Sequence, residues 1–498
     1  MIKYFNLGLF HPYFFGIFPI LFIYTNNLSE ISFDSSLIPI LGIFGVISAI
    51  ILISIKYSKN IQKITLFLSF IILLFFSIGY AKLWLSNLQI FDFALDQSGF
   101  IIFTYSIIFF VGLFSIYKMK YSLEITKIIT VISIAVIISF LPGIILDFSN
   151  TNYDNLNDMT INFTTIDKPN IYFIILDGYA SNESLKNNFD FDNSKFLNYL
   201  ENSGFLINKN SFSNYEGTVF TMLSTLNMNY LHDFKELGAN TALLHKNLFS
   251  NNLVMNTFQN NGYHTTYIDG GGPLRDMKTS DEILCHFTDN GLLQTLIDTS
   301  AMTYIFQGFF WDSWNDRRSC SFSALENIPI NTESPFFIYA HLRTPHEPFL
   351  RDSNGNFIEY DQRSDQLDEK TFNERYVYQL KYTNKKLIEI IPKLLSAEPK
   401  PIIILASDHG TKSFTNLPLT DKDLIQKHSN FEAFYLPNSK NSKSYSEITL
   451  VNIFRTIFND YFGTNLEILE NKAYDVNEKN NDNYIDQKDI TYLFDSKN

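Results

Sequence analysis

Five long apolar stretches fill the first 147 residues of the chain, and they constrain its fold more than any other feature. They are Pro12–Thr25, Leu37–Ile55, Ile64–Tyr80, Phe100–Tyr117 and Ile128–Ile145. A helix that crosses a bilayer needs about 20 apolar residues, a length that the first stretch reaches only with its flanks. One such stretch is compatible with a buried helix of a water-soluble protein. Five in succession predict a transmembrane domain of five helices over residues 1–147.

Lysines in the short loops predict how this domain is oriented. The second and fourth loops between the apolar stretches contain six of them, which are Lys56, Lys59, Lys63, Lys118, Lys120 and Lys127. The first and third loops are mainly acidic. Because lysine and arginine accumulate in cytoplasmic loops, we expect a cytoplasmic N-terminus and an exterior position for the chain beyond about residue 147. No small-x-small cleavage motif follows the first stretch, so we expect it to be retained.

Beyond the fifth stretch the chain is polar and acidic. Residues 148–168 are rich in Asn, Asp and Thr and are typical of a linker, residues 169–470 are expected to form a folded domain, and residues 471–498 form a polar tail that we expect to be mobile. The formal net charge of −13 over 498 residues argues against nucleic-acid binding, which needs a clustered basic surface.

Predicted strands and helices alternate over residues 169–470. The predicted strands are Ile171–Leu176, Phe336–Ala340 and Ile402–Ala406. The predicted helices are Asn193–Ser203, Thr221–Met228 and Tyr376–Ile391, the last of which is stopped by Pro392. Fully apolar strands separated by helices indicate a mostly parallel sheet that is covered on both faces. We therefore predict an α/β domain after the membrane helices.

Two of these strands end in carboxylates that suit a metal ion. Ile171–Leu176 runs into Asp177, and Ile402–Ala406 is followed closely by Asp408 and His409. In an open α/β sheet the carboxyl ends of the strands share one crevice, so residues far apart in sequence can meet there. Carboxylate and imidazole ligands together suit zinc or manganese better than calcium. Asp177, Asp408 and His409 are therefore candidate ligands of a divalent metal, zinc or manganese.

Thr218 is the candidate nucleophile for such a metal to activate. It follows Gly217 and begins a predicted helix, whose amide dipoles favour negative charge at that end. Metal coordination would lower the pKa of its hydroxyl toward working pH. The alternative is an ordinary helix N-cap, a position in which threonine is common.

Three histidines are candidates for contacts with a phosphate or a second metal. His341 and His346 lie on either side of Pro345, directly after a predicted strand, and a structural role for each is the alternative. His428 is the weaker candidate by its own sequence context.

The two cysteines, Cys285 and Cys320, both fall in the predicted exterior part of the chain. Oxidising conditions there permit a disulfide, although two buried free thiols are the alternative. Neither cysteine has the spacing of a structural zinc site.

As a set, the motifs resemble those of the membrane-anchored sulfatase-like proteins of the alkaline phosphatase superfamily. They are Asp-Gly-Tyr at 177–179, Ser-Asn-Tyr-Glu-Gly-Thr at 213–218, Ser-Thr-Leu-Asn-Met-Asn-Tyr-Leu at 224–231, His-Leu-Arg-Thr-Pro-His-Glu-Pro-Phe at 341–349 and Ser-Asp-His-Gly at 407–410. Five membrane helices before an exterior domain also resemble the phosphoethanolamine transferases and lipoteichoic acid synthases. The resemblance implies a five-helix transmembrane domain followed by an alkaline-phosphatase-like α/β domain.

For the site, the resemblance implies that Asp177, Thr218, Asp408 and His409 bind the catalytic metal. Thr218 would be the nucleophile, and His346 and His428 would face the transferred group. The transferases have Glu at the position of Asp177, and the sequence around Thr218 is this chain's own, so the resemblance does not extend to the substrate.

The motifs also bear on the reaction. Sulfatases of this superfamily make formylglycine from the first residue of Cys/Ser-x-Pro-x-Arg, and neither cysteine begins that motif. A threonine nucleophile suits phosphoryl transfer, for which a nearby bilayer would supply a phospholipid head-group donor. We therefore expect an enzyme of a bacterial cytoplasmic membrane, with its catalytic domain outside, that moves a head group to a cell-envelope glycan or lipid.

Three other classes of function are the alternatives. The first is a sulfuric ester hydrolase, and the second is a catalytically inactive exterior binding domain. The third, a transporter, is disfavoured because the apolar stretches contain no acidic or basic residue of the kind that lines a transport path.

Overall fold

The computed structural model describes residues 9–28, 31, 33–57, 60–86, 97–120, 122–149, 161–232, 247–272, 277, 279–286, 291–306, 311–331, 335–358, 367–414, 419–477 and 486–495. The chain divides into two compact units. The first unit comprises Met1–Thr151 and Thr288–Phe309, and the second comprises Asn152–Phe287 and Phe310–Asn498. Thr288–Phe309 therefore folds with the membrane helices, although its sequence lies inside the predicted α/β domain. Much of the predicted linker, residues 150–160, lies outside the described residues.

The N-terminal part of the first unit is helical. Its helices are α1 (His11–Asn26), α2 (Phe33–Tyr57), α3 (Ile61–Ser86), α4 (Gln97–Lys118), α5 (Ser122–Ile138) and α6 (Leu141–Ser149). Among the described residues, four segments are long and apolar enough to cross a membrane, namely Phe33–Tyr57, Ile61–Lys82, Gly99–Lys118 and Ser122–Ile145.

The first apolar stretch is the exception, and the predicted count of five spans is not confirmed. It forms α1, which has only 16 residues. At 1.5 Å per residue this helix is about 24 Å long, shorter than a hydrocarbon core of about 30 Å. It packs against α2, α3 and α5, and the Nδ1 atom of its buried His11 lies 2.6 Å from the Ser69 hydroxyl. Packing within the unit therefore accounts for the apolar character of this short helix.

The remaining elements follow in chain order. The helices are α7 (Asn182–Phe189), α8 (Ser194–Asn202), α9 (Thr218–Leu226), α10 (Leu253–Asn260), α11 (Gly291–Asp298), α12 (Trp311–Asn331), α13 (Glu369–Leu394), α14 (Asp421–His428), α15 (Ile453–Phe462) and α16 (Tyr492–Asp495), with 3₁₀ turns at Ala301–Tyr304, Ser442–Ser446 and Leu450–Asn452. The strands are β1 (Ile171–Leu176), β2 (Leu206–Asn208), β3 (His264–Asp269), β4 (Glu282–Leu284), β5 (Phe336–Leu342), β6 (Ile402–Ala406), β7 (Glu432–Tyr435), β8 (Tyr474–Asn477) and β9 (Asp486–Asp489).

Seven strands form one sheet in the order β2-β7-β6-β1-β5-β3-β4. The pairs from β6 to β4 are parallel, and β7 pairs antiparallel with both β6 and β2. The predicted mostly parallel sheet is therefore present. Its central strand β1 is apolar throughout because both faces are covered: Ile171, Phe173 and Ile175 enter one core with α9, α10 and α15, whereas Tyr172 and Ile174 enter the other with α7, α8, α12 and α13.

Helix α13 is longer than the predicted Tyr376–Ile391. Asp368 caps its start by accepting a hydrogen bond from the Thr371 amide, and the helix continues past Pro392 to Leu394. Proline in a helix leaves the carbonyl four residues earlier without a partner. Here that carbonyl belongs to Ile388, and the Tyr199 hydroxyl donates to it at 3.4 Å. The proline therefore lies in the last turn of the helix, and the prediction that it stops the helix is wrong.

The described part of the C-terminal tail contains two strands and a short helix, and its expected mobility stays a prediction. Strands β8 and β9 pair antiparallel, and Ala473 and Ile490 beside them are fully buried. The mainly polar sequence of the tail gives no indication of these few buried contacts. Residues 478–485 and 496–498 lie outside the described residues.

Glu432 is a fully buried carboxyl at the start of β7. It accepts a hydrogen bond from Asn208 at 3.0 Å, but burial raises its pKa from 4.5 to about 7. The Glu432 carboxyl therefore ionises at a lower pH in the unfolded chain than in the folded one. Stability that is fully present below about pH 4.5 is lost as the pH rises through about 7.

We expect Glu432→Gln to remove this pH dependence. A shift of about 2.5 pKa units, at about 1.4 kcal/mol each, predicts that the variant gains about 3 kcal/mol of unfolding free energy relative to the parent between pH 4.5 and 8. Thermal unfolding of both proteins in detergent across this range measures the gain. Parallel stability curves for the two proteins would contradict the assignment.

Candidate metal centre

The register of three strands brings three distant residues to one edge of the sheet. Ile175 of β1 lies opposite His341 of β5 and opposite Ala406 of β6. Asp177 lies two residues after Ile175, and Asp408 lies two residues after Ala406. The carboxyl ends of β1, β5 and β6 therefore present Asp177, His341 and Asp408 side by side, as the open-sheet rule predicts.

Two glycines shape the turns after the strands. Gly178 has φ of 68°, a left-handed conformation that suits glycine, and it redirects the chain directly after Asp177. Gly410 is needed for close packing, because a Cβ atom there would lie 2.1 Å from the Gln426 carbonyl oxygen. This close approach packs the turn after β6 against α14.

Six ligand-type atoms converge at this edge. Asp177, His341 and Asp408 each offer one atom within 4.8 Å of the others, and so do Asp177, His346 and His409. His409 Nε2 lies 3.5 Å from both Asp177 Oδ1 and Asp408 Oδ2, and His341 Nε2 lies 3.7 Å from Asp177 Oδ2. His346 Nε2 is 4.0 Å from Asp177 Oδ1.

Three of these atoms are buried and have no hydrogen-bond partner among the residues that the structure describes. They are Asp177 Oδ1, Asp408 Oδ2 and His341 Nε2. Buried polar atoms without a partner are costly, and native proteins normally satisfy them. The other oxygen of Asp408, by contrast, accepts from the Gly178 and His409 amides at 3.0 Å. Hydrogen bonds from the backbone hold Oδ1 of Asp408, and Oδ2 is left to face the cluster.

The charge of the cluster also fits a cation. Burial opposes ionisation of Asp177, but His346, His341 and His409 hold its pKa well below the usual value. Burial likewise opposes a charged imidazole, yet Asp408 and Asp177 raise the pKa of His409 to about 9. A positive charge therefore stabilises the two adjacent buried carboxylates, and a divalent cation supplies it. Carboxylates and imidazoles are suitable ligands for zinc or manganese.

The histidines are held in orientations suited to ligands. His409 Nδ1 lies 2.7 Å from the Gly410 carbonyl oxygen, and His346 Nδ1 lies 2.8 Å from that of Glu347. A carbonyl oxygen only accepts hydrogen bonds, so each Nδ1 carries the hydrogen. In the neutral form this leaves each Nε2 as a lone-pair donor to a cation.

Thr218 is the first helical residue of α9, and Gly217 before it occupies the N-cap position with extended backbone. The Thr218 side chain is therefore not the N-cap of this helix. It is 8% exposed, and its Oγ1 lies 3.2 Å from His409 Nε2. The start of the helix thus places a hydroxyl beside the carboxylate and imidazole cluster, with the amide dipoles of α9 behind it.

His428 is not part of the two ligand groups found among the described residues. Its side chain is fully buried, its Nδ1 lies 2.8 Å from the Ser213 carbonyl oxygen, and its ring centroid is 5.9 Å from that of Phe494. Burial lowers its pKa to about 4, so it is neutral near pH 7. Its expected contact with the transferred group stays a prediction.

An open cavity lies next to the cluster. Charged side chains of both signs line it: Glu216, Glu347, Lys412 and Lys427. Lys427 Nζ and Glu216 Oε2 are 2.8 Å apart. Sequence reasoning missed these four residues, although Glu216 lies inside the motif that contains Thr218 and Lys427 directly precedes His428.

A buried pair, Arg318 and Gln379, supports the loop that carries His346. Arg318 donates to the carbonyl oxygens of His346 at 2.9 Å and Pro348 at 2.6 Å, and Gln379 donates to that of His346 at 2.7 Å. Arg318 Nη1 also donates to Gln379 Oε1 at 3.1 Å. No local pattern in the sequence indicates this support, because α12, α13 and the loop come together only in the folded domain.

Helix α12, which carries Arg318, also carries Cys320. The structure joins Cys320 to Cys285 in a disulfide. This bridge connects α12 to the segment that follows β4, so it ties together two parts of the second unit that are 35 residues apart.

Comparisons with known proteins give one family and a set of remote structural likenesses. The model of the sulfatase family matches residues 169–467. No curated protein matches the chain by sequence. The zinc complex of the C-terminal periplasmic domain of EptC from Escherichia coli is 12% identical, with a TM-score of 0.40, and the match covers 64% of this chain and 93% of that one.

Two further solved structures are similar at the same level. The integral membrane protein lipooligosaccharide phosphoethanolamine transferase A from Neisseria meningitidis is 11% identical, with a TM-score of 0.39, and the match covers 92% of each chain. BT1596, a 2-O GAG sulfatase, is 11% identical, with a TM-score of 0.40, and the match covers 62% of this chain and 78% of that one.

Proposed function

Because the chain belongs to the sulfatase family, we propose that its second unit is a metal-dependent enzyme that transfers a phosphoryl-containing group through Thr218. The observation that carries this proposal is the position of the Thr218 hydroxyl, 3.2 Å from His409 Nε2 at the start of a helix. A hydroxyl beside a buried cluster of carboxylates and imidazoles is the arrangement that activates an otherwise weak nucleophile.

The proposed reaction has two steps. In the first, Thr218 Oγ1 loses its proton and attacks the phosphorus of a phosphodiester. The new bond joins Oγ1 to phosphorus, the bond from phosphorus to the leaving alcohol breaks, and that alcohol gains a proton. In the second step an acceptor hydroxyl or water displaces the threonine oxygen, which regains a proton.

We assign the metal to Asp177, Asp408, His409 and Thr218, with His341 as an additional ligand candidate. A divalent cation bound there would lower the pKa of the threonine hydroxyl and offset charge on the transferred group. His346, whose side chain is 27% exposed, lies at the open side of the cluster. Its Nε2 is the group that we propose to accept or return protons at the leaving and entering oxygens.

The membrane helices and the cavity suggest the substrate. Four segments of the chain are able to cross a bilayer, so phospholipid is available near the protein. The adjoining cavity is lined by both acidic and basic side chains. We therefore propose a phospholipid head group as donor and a cell-envelope glycan or lipid as acceptor. This assignment implies a second unit on the exterior side of a bacterial cytoplasmic membrane.

Trapping the covalent intermediate tests the proposal. The full-length protein in detergent, with zinc or manganese, is incubated with phospholipids that differ in head group, and its peptides are analysed by high-resolution mass spectrometry. We expect one head-group phosphate on the peptide that contains Thr218, and its loss when acceptor is added. A sulfate on that residue after incubation with a sulfate ester would instead indicate a sulfuric ester hydrolase. Phospholipid turnover with an adduct on a different residue would overturn the assignment of Thr218.

A further inference from the structure

The segment Gly291–Phe306 belongs to the first unit, although the sequence on both sides of it belongs to the second. It consists of helix α11 and the 3₁₀ turn Ala301–Tyr304. Asp298 is its only acidic or basic residue. A nearly uncharged segment within a polar half of the chain is more stable in an apolar environment than in water.

The segment packs closely on the membrane helices. Helix α11 contacts α1 and α2, and the 3₁₀ turn contacts α3. A Cβ atom on Gly79 of α3 would lie 2.4 Å from the Thr299 Cα atom, so only glycine allows this approach. Leu292 and Leu296 are buried in the packing.

Its outer side, by contrast, is apolar and uncovered. Leu293 is 40% exposed, Ile305 is 74% exposed and Phe306 is 38% exposed. Exposed apolar side chains of this kind are also found on the candidate spans, where Ile38 is 81% exposed. If this surface faced water, three such side chains within 16 residues would leave apolar area exposed. The free-energy cost would be about 25 cal/mol per Å².

One contact indicates the level of the membrane surface. The candidate span Ile61–Lys82 ends at Lys82, and the Lys82 Nζ atom lies 5.6 Å from the centre of the Tyr304 ring. Lysine and tyrosine side chains accumulate where hydrocarbon gives way to head groups. The 3₁₀ turn is therefore at the end of a span, in the zone where amphipathic segments bind lipid.

We propose that Gly291–Phe306 is a membrane-binding insertion whose partner is the phospholipid bilayer surface. Leu293, Ile305 and Phe306 enter the acyl-chain boundary, while Asp298 and Lys82 stay among the head groups. The insertion thus gives the chain a second attachment to the membrane, apart from the N-terminal spans. This role does not depend on the chemistry at the metal centre.

Photochemical labelling tests the insertion directly. The full-length protein is reconstituted in phosphatidylcholine and phosphatidylglycerol vesicles that contain a phospholipid with a diazirine in its acyl chain. After illumination, labelled peptides are quantified. We expect labelling of the peptide that contains Ile305 and Phe306 to approach that of α2. The matched reference is Ile166 of the second unit, which is 96% exposed and should be labelled severalfold less.

A variant supplies a second measurement. Ile305→Asn combined with Phe306→Asn should reduce labelling of this peptide severalfold and leave that of α2 unchanged. Labelling of the unmodified Ile305 peptide no stronger than that of the Ile166 peptide would overturn the proposal, whatever the variant does.

Discussion

Replacing Thr218 by alanine is expected to lower kcat for phosphodiester turnover by at least about 10³-fold, because it removes the attacking oxygen. The variant loses one proposed metal ligand, but Asp177, Asp408 and His409 should stay in place because other elements supply them. KM should change far less than kcat. Steady-state assays of the full-length variant with a phospholipid donor measure both constants.

Thr218→Ser is the matched control for this variant. Serine keeps the hydroxyl at the start of α9 and loses only a methyl group, so we expect it to retain most of the activity that alanine loses. The same thermal unfolding temperature for both variants would exclude a folding defect. Equal activity of the alanine variant and the parent would remove Thr218 from the mechanism.

Asp408→Asn is expected to abolish stabilisation of the protein by metal. In the parent, zinc or manganese at about 1,000 times its Kd should stabilise the fold by about 4 kcal/mol, and a chelator should reverse this. Asparagine can keep the hydrogen bonds from Gly178 and His409 through its carbonyl oxygen, but it then turns an uncharged NH₂ group toward the cluster. Thermal unfolding with chelator, and then with added metal, measures the difference.

Asp269→Asn is the matched control for the metal experiment. Asp269 ends β3 at the same edge of the sheet, is 1% exposed and accepts a hydrogen bond from the Gly271 amide at 2.8 Å. It belongs to neither ligand group, so its variant should keep the full metal-dependent shift. If metal stabilised the Asp408 variant as much as the parent, Asp408 would not be a ligand.

Much of the framework could be predicted from local sequence. Strands β1 and β6 match their predicted bounds, since a run of five or six apolar residues flanked by polar ones forms a strand buried on both faces. Four of the five apolar stretches correspond to segments long enough to cross a membrane. The exception is α1, which has only 16 residues and packs against neighbouring helices, so its role as a fifth span is not confirmed.

The candidate site was predictable only in part. Asp177, Asp408 and His409 were predicted as metal ligands because each follows a strand, and Thr218 as the nucleophile because it begins a helix. The structure brings these side chains together, and their roles stay predictions. His341 was recognised only as a candidate for phosphate or a second metal, whereas its Nε2 lies within 4.0 Å of both carboxylates. That proximity depends on the pairing of β5 with β1, which no local pattern encodes.

By itself, the sequence determined which segments are apolar enough for a bilayer or a buried strand, and which polar residues directly follow those strands. These properties depend on neighbours along the chain. Tertiary structure alone decided that Thr218 meets His409 across 191 residues, that Arg318 and Gln379 hold the His346 loop, and that Gly291–Phe306 joins the membrane helices. Each of these depends on strand register or on close packing between distant segments, and such contacts form only when the whole domain folds.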